Sequence, residues 1–280
     1  KDAHPSLPVI MVTKSEEEDI MDQAIGAKIA DYLIKPVNPM QILLALKKHV
    51  HQKEIVTEVT QQGYQQSFQD ISMQIADCRT FSDWRDVYKR LVRWELELAA
   101  TGSAMTEMLK MQKEDANNGF AKFIKKNYTG WMTPGAKTID KPLMSNRIFP
   151  DCVFPTLSNG EKVFMIVIDN FRYDQWRMLA EEIGDMFDIE EDLYLSILPT
   201  ATQYARNAIF SGLMPQQIAE MFPELWVDED EDEGKNLNES PLIQTQIERY
   251  RRKDTFSYHK INDSQGADKL MQQFGSLERY

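Results

Sequence analysis

Residues 164–176 read FMIVIDNFRYDQW, and residues 198–212 read LPTATQYARNAIFSG. An unbroken apolar run closed by an acidic residue has the composition of a strand buried on both faces of an α/β sheet, with Asp169 at its carboxyl edge. A second strand is expected to lead into Pro199-Thr200-Ala201-Thr202, with a helix from Ala201 to Gly212 beyond it. Phosphoryl transfer from an ester to a hydroxyl requires that hydroxyl to lose its proton near neutral pH, which needs an adjacent metal ion or base. Asp169 is the candidate ligand for a divalent ion, and Thr202 the candidate nucleophile and second ligand. At a helix N-terminus, unpaired N–H groups and the positive dipole end also favour a phosphate. Each residue has a structural reading beside the chemical one. An Asp ending a strand caps the following helix, and a Thr after Pro is an ordinary N-cap.

The pair VIDNFRYDQW and LPTATQYARNAIFSG resembles the alkaline phosphatase superfamily and, within it, the PglZ domain. That resemblance implies a zinc-dependent phosphoesterase, with two zinc ions expected and a phosphodiester as the expected substrate class. It makes Asp169 a zinc ligand and Thr202 both zinc ligand and nucleophile, the second Thr of PTAT aligning with the nucleophile of related phosphodiesterases. Three residues after the nucleophile those enzymes carry an Asn, where this chain has Ala205; Arg206 and Asn207 are the candidates to contact the phosphate instead. Of the later His residues there is only His259, in FSYHKIND, and it reads as structural or exposed on a strand. The remaining zinc ligands are expected beyond Tyr280.

The opening segment alternates strand and helix. Residues 7–13 read as a buried strand, 15–26 as an amphipathic helix, 31–34 as a strand and 39–50 as a helix. With Thr13, Tyr32, Lys35 and Pro36 in place, this is similar to the second half of a two-component receiver, a flavodoxin-like, doubly wound fold. In receivers the Thr and the Lys reach a phosphoryl group on an aspartate, the Lys-Pro peptide is cis, and the Tyr ring moves as the Thr does. A phosphoaspartate attracts both donors because it brings two negative charges and several acceptor oxygens. The resemblance places that aspartate, and the Mg2+ beside it, before Lys1.

Between these parts, apolar residues recur at helical spacing in three runs: Ile55, Val59, Phe68, Ile71 and Ile75; Trp84, Val87, Tyr88, Leu91 and Leu98; Met105, Met108, Leu109, Phe120, Phe123 and Ile124. Thr80-Phe81-Ser82-Asp83 is a start signal for the second run and Thr101-Gly102-Ser103 a turn before the third, so a three-helix bundle is expected. No Pro or Gly interrupts residues 50–60, so the first helix is free to continue from the receiver. The expected organisation is a receiver fragment over 1–51, a helical linker over 52–128, a connector over 129–160 and an incomplete alkaline phosphatase-like α/β domain over 161–280.

With 280 residues, 42% hydrophobic and 27% charged, the chain has material for two or three cores. The apolar run VFMIVI is far below the roughly 20 residues a membrane span needs, and a cytoplasmic setting is expected. Cys78 and Cys152 fit no metal or redox spacing and read as reduced, buried thiols. A net charge of −12 argues against gripping duplex DNA through its phosphates, while a short oligonucleotide remains an allowed substrate. The acidic run 228–233 lacks the spacing of a calcium loop and reads as a solvated surface loop. Arg249, Arg251, Arg252 and Lys253 read as complementing the C-terminal dipole of their own helix.

The whole pattern resembles the PorX-like family of response regulators. That family implies a sensor histidine kinase as phosphodonor, a homodimer formed on phosphorylation, and control of type IX protein secretion, with secretion-system or sigma-factor partners. The competing reading is a module whose phosphatase-like domain docks secretion or transcription partners without turnover.

Overall fold

The computed structural model describes residues 8–14, 29–50, 52–101, 105–133, 135, 140–227 and 237–279. The expected helix over 15–26, the turn residues 102 and 103, and the acidic run 228–233 lie outside the described residues. In chain order the elements are β1 (Ile10–Thr13), β2 (Asp31–Ile34), α1 (Pro39–Val50), α2 (Gln52–Asp77), α3 (Phe81–Thr101), α4 (Thr106–Met132), α5 (Phe154–Ser158), α6 (Tyr173–Ile183), α7 (Thr202–Ser211), α8 (Pro215–Met221), α9 (Glu239–Arg249) and α10 (Ser264–Gln273). They fall into two units: Lys1–Thr138 with Arg172–Glu182, and Ile139–Phe171 with Ile183–Tyr280.

In the first unit β1 and β2 pair in parallel, with Met11 opposite Tyr32 and Thr13 opposite Ile34. The Lys35 N–H donates to the Thr13 carbonyl at 2.7 Å, so two of the sequence-selected residues meet at the carboxyl end of the pair. The Lys35–Pro36 peptide is cis. Asn38 opens α1 with reciprocal bonds: its Oδ1 accepts the Met40 N–H at 2.9 Å, and its own N–H donates to Gln41 Oε1 at 3.0 Å, with Pro39 at the first helical position. Asp31 fastens β2 to α1 through His49, 3.0 Å away.

The three long helices α2, α3 and α4 enclose a core of Tyr64, Ile71, Cys78, Trp84, Val87, Leu91, Trp94, Leu98, Leu109 and Ala116. Phe68, Ile75, Met105, Met108, Phe120 and Phe123 pack against it. Ile55 and Val59, read as part of the apolar stripe, are instead 55% and 63% exposed on the first turns of α2. Tyr88 also leaves the stripe and sets its ring 5.6 Å from that of Tyr173 on α6. Gly119 permits the tightest approach: a Cβ there would lie 2.5 Å from Cη2 of Trp84. Cys78 is buried, and burial raises its thiol pKa to about 11, as expected of an inert thiol. Cys152 is exposed, because it lies on the π turn Phe149–Val153, whose Phe149 takes the inward position.

The second unit is built on Phe149, Phe154, Ile209, Phe210, Leu213, Ile218, Leu242, Ile243 and Ile247, gathered from the π turn and from α5, α7, α8 and α9. Gly212 ends α7 with φ +66, and a Cβ there would meet Gln246 Nε2 at 2.1 Å, so conformation and space both require glycine.

Two expectations are corrected in this unit. The run 163–168 pairs with no strand among the described residues, and Phe164, Ile166 and Ile168 are 60%, 81% and 53% exposed. The segment before Pro199 makes a single parallel bridge, Leu195 with Met144, and the segment around His259 forms no ladder among the described residues. The expected α/β sheet of this domain is therefore absent among the described residues, and helices dominate. Apolar composition reports a preference for burial; a ladder also needs a neighbouring backbone, which no local property of the run supplies. The basic cluster is corrected as well. Arg249 reaches across to donate to the Ser211 carbonyl at the end of α7, while Arg252 pairs with Asp254 and lies over the Phe154 ring.

Candidate active site

The helix α7 starts at Thr202, with Ala201 as an N-cap that supplies no side-chain bond. Thr202 is thus the first helical residue and not the cap, which leaves its hydroxyl outside the capping role. The Ala201 carbonyl accepts the N–H groups of Tyr204 and Ala205 at 2.9 and 3.0 Å, so the turn is closed behind Thr202. In helix geometry the first N–H groups then point out along the axis toward any anion placed there.

Arg206 lies one turn after Thr202, and the i, i+4 spacing puts the two on one face of α7. Its Nη1 donates to Asp169 Oδ2 at 3.2 Å, joining the first motif to the second. Its Nη2 stands 3.4 Å from Oε1 of Glu239, the first residue of α9. Lys260 Nζ donates to the same oxygen at 3.1 Å. Two carboxylates and two cations therefore form one chain: Asp169, Arg206, Glu239, Lys260.

The two ends of the Arg206 fork are held unequally. The Asp169 side chain is 57% exposed, and an ion pair this open is worth about 0–1 kcal/mol. The Glu239 side chain is 2% exposed, and stripping a buried carboxylate of a partner costs about 3–5 kcal/mol. Glu239 is the anchor, and Asp169 is the end from which Arg206 can be released. Beside them, burial first and the Glu239 charge second push the Tyr258 hydroxyl pKa above its ordinary value.

The structure brings together Asp169 and Arg206, with Thr202 on the same helix face, and separates Asn207, which is 4% exposed and turned inward. His259 is exposed, with its Nε2 2.7 Å from Ser257 Oγ. Thr13, Tyr32 and Lys35 lie in the first unit, on the β pair and at its end. Glu239 was not among the sequence candidates. Its signal was available only as an acidic residue opening a helix, the commonest surface pattern.

Among the described residues no group of three or more His, Cys, Asp or Glu side chains is placed to hold a metal ion. Asp169 and Thr202 are two candidate donors, short of the four that tetrahedral zinc takes, and one Asp169 oxygen already accepts from Arg206. The described donors thus do not by themselves amount to a complete zinc site. No described helix is long and apolar enough to cross a membrane.

Residues 54–132 match the family model of the PorX response regulator linker domain, and residues 148–274 match that of the BREX system PglZ alkaline phosphatase-like domain. No curated protein matches the chain.

Proposed function

We propose that this chain, which carries a PorX-type response regulator linker followed by a PglZ alkaline phosphatase-like domain, is the transmission and catalytic part of a phosphorylation-controlled phosphoesterase. A phosphodiester is the substrate class, and zinc is the metal the superfamily resemblance implies. The observation that carries the reading is the Asp169–Arg206 pair on the face of α7 that begins with Thr202.

A phosphate at the start of α7 is held by the helix's first N–H groups and by Arg206, which exchanges its exposed Asp169 contact for a phosphate oxygen. A divalent ion held by Asp169 and Thr202 would acidify the Thr202 hydroxyl; its Oγ attacks phosphorus, the ester P–O bond breaks, and the proton ends on the departing alcohol. The other ester group stays on the phosphorus now bound to Thr202, and water cleaves the Thr202 Oγ–P bond to release the phosphomonoester and restore the hydroxyl. Receiver phosphorylation by a sensor histidine kinase and dimerisation gate this step, with type IX secretion as the process governed. The linker match supports the two-component setting, and the secretion role rests on the PorX resemblance.

Hydrolysis of bis(p-nitrophenyl) phosphate and p-nitrophenyl phosphate by the full-length protein, with and without zinc and a receiver phosphoryl mimic, tests the reading. Diester turnover is expected, falling by about 10³-fold or more in Thr202→Ala, since removal of a nucleophile leaves only binding and electrostatic stabilisation. Zinc bound without turnover of either ester would overturn it and leave the docking module.

A further inference from the structure

We propose that Glu239 is a positioning residue: it holds the Arg206 guanidinium so that one nitrogen stays on the buried carboxylate while the other faces the open end of the site. The inference rests on the phosphoesterase reading above and names a group that neither motif contains. Three observations carry it.

First, Glu239 is 1% exposed, so its charge is stable only while cations stand beside it. Arg206 at 3.4 Å and Lys260 at 3.1 Å are those cations, and both reach the same oxygen, Oε1. Second, the Arg206 side chain is itself only 17% exposed, and its two terminal nitrogens are divided between Glu239 and Asp169. A planar fork shared in this way has its orientation set by the less movable partner. Third, that partner is on a rigid element, because Glu239 opens α9, whose Leu242, Ile243 and Ile247 are buried in the core of the unit. Asp169 lies instead on a solvent-exposed turn between elements.

When a phosphate arrives, the weaker contact yields and the stronger one persists. Arg206 then meets the anion without searching its rotamers, which is the advantage of a pre-oriented donor. Lys260 has a separate part in this arrangement. It keeps Glu239 compensated while Arg206 is engaged with substrate, so the carboxylate does not draw the guanidinium back. Glu239 never touches the ester and acts through Arg206 alone.

The test uses the full-length protein and a double-mutant cycle on bis(p-nitrophenyl) phosphate. Glu239→Gln is expected to raise KM about tenfold, the loss of one charge-assisted contact, with kcat less affected. In an Arg206→Ala background the same change should alter kcat/KM by less than about twofold, since the residue it serves is gone. Additive effects in the two backgrounds would overturn the proposal, because they would mean that Glu239 supports the fold and not Arg206. Glu239→Asp keeps the charge but draws it back by one methylene; a smaller rise in KM is expected, and it serves where the Gln variant fails to fold. A crystal structure of the same variant decides the matter even if the wild type turns over neither ester. Arg206 displaced from its position supports the positioning role, and Arg206 unmoved refutes it. Absence of wild-type turnover, by contrast, refutes the esterase reading only.

Discussion

Gln112 is a polar residue inside the helical bundle, 3% exposed, and every polar atom of its amide is used. Its Oε1 accepts from the Tyr64 hydroxyl at 3.2 Å, and its Nε2 donates to the Phe68 carbonyl at 2.9 Å and to Ser72 Oγ at 2.8 Å. Burial alone pushes the Tyr64 hydroxyl pKa up to about 12, so it stays a neutral donor across the working range. Replacing Gln112 by Leu leaves that hydroxyl buried without its acceptor, a cost of about 1–3 kcal/mol. A urea midpoint should report it, and Tyr64→Phe in the Gln112→Leu background should recover part of the loss. An unchanged midpoint in Gln112→Leu would mean the amide contributes nothing. Such residues are hard to read from sequence for the same reason that Glu239 is. Apolar periodicity selects Ile71, Trp84, Leu91 and Leu98, all of them buried, but a buried polar side chain is defined by partners distant along the chain. Asp169 and Arg206 were both visible as candidates because each sits in a motif; that they bond to each other was not.

At the scale of the element, helix starts were the most legible feature, because a cap is written in four consecutive residues. Thr80 and Asp83 form a capping box on α3: Asp83 Oδ2 accepts the N–H groups of Arg79 and Thr80 at 2.9 and 2.8 Å, and Thr80 Oγ1 accepts the Asp83 N–H at 3.1 Å. These bonds, those from the Arg79 and Thr80 N–H groups foremost, hold the Asp83 carboxyl below its ordinary range. A carboxyl lowered in the folded state adds stability above its unfolded pKa and loses it as pH falls through the folded value. Thr80→Ala should therefore cost about 1 kcal/mol at pH 7. Asp83→Asn should remove an increment that is present at pH 6 and absent at low acidic pH, so the melting curves of variant and wild type converge on acidification. Curves that stay parallel would show that the carboxyl charge is not what the box uses. The strands at β1 and β2 were legible through their β-branched and aromatic content flanked by turns. The run 163–168 was not, since its apolar content reports a preference for burial while its pairing depends on backbone elsewhere.

Across the whole molecule the two family matches and the two units are offset. The linker match, 54–132, falls within the first unit, whereas the PglZ match, 148–274, includes residues 172–182, which also belong to the first. The chain thus leaves the second unit three residues after Asp169 and rejoins it at Ile183. The same stretch bears on how the protein behaves in bulk solution. Six consecutive apolar side chains, in no ladder among the described residues and several of them exposed, are a segment onto which another copy can add a strand. The net charge of −12 at pH 7, from 44 acidic against 32 basic residues, opposes such association. Acidification neutralises carboxylates and weakens that repulsion, so light scattering from concentrated solutions should rise as the pH approaches 5, and Ile166→Lys should delay it. Equal turbidity in the two would locate the adhesive surface elsewhere. The colloidal stability of this chain is then a contest between one short greasy ribbon and a diffuse anionic shell, and handling pH decides which prevails.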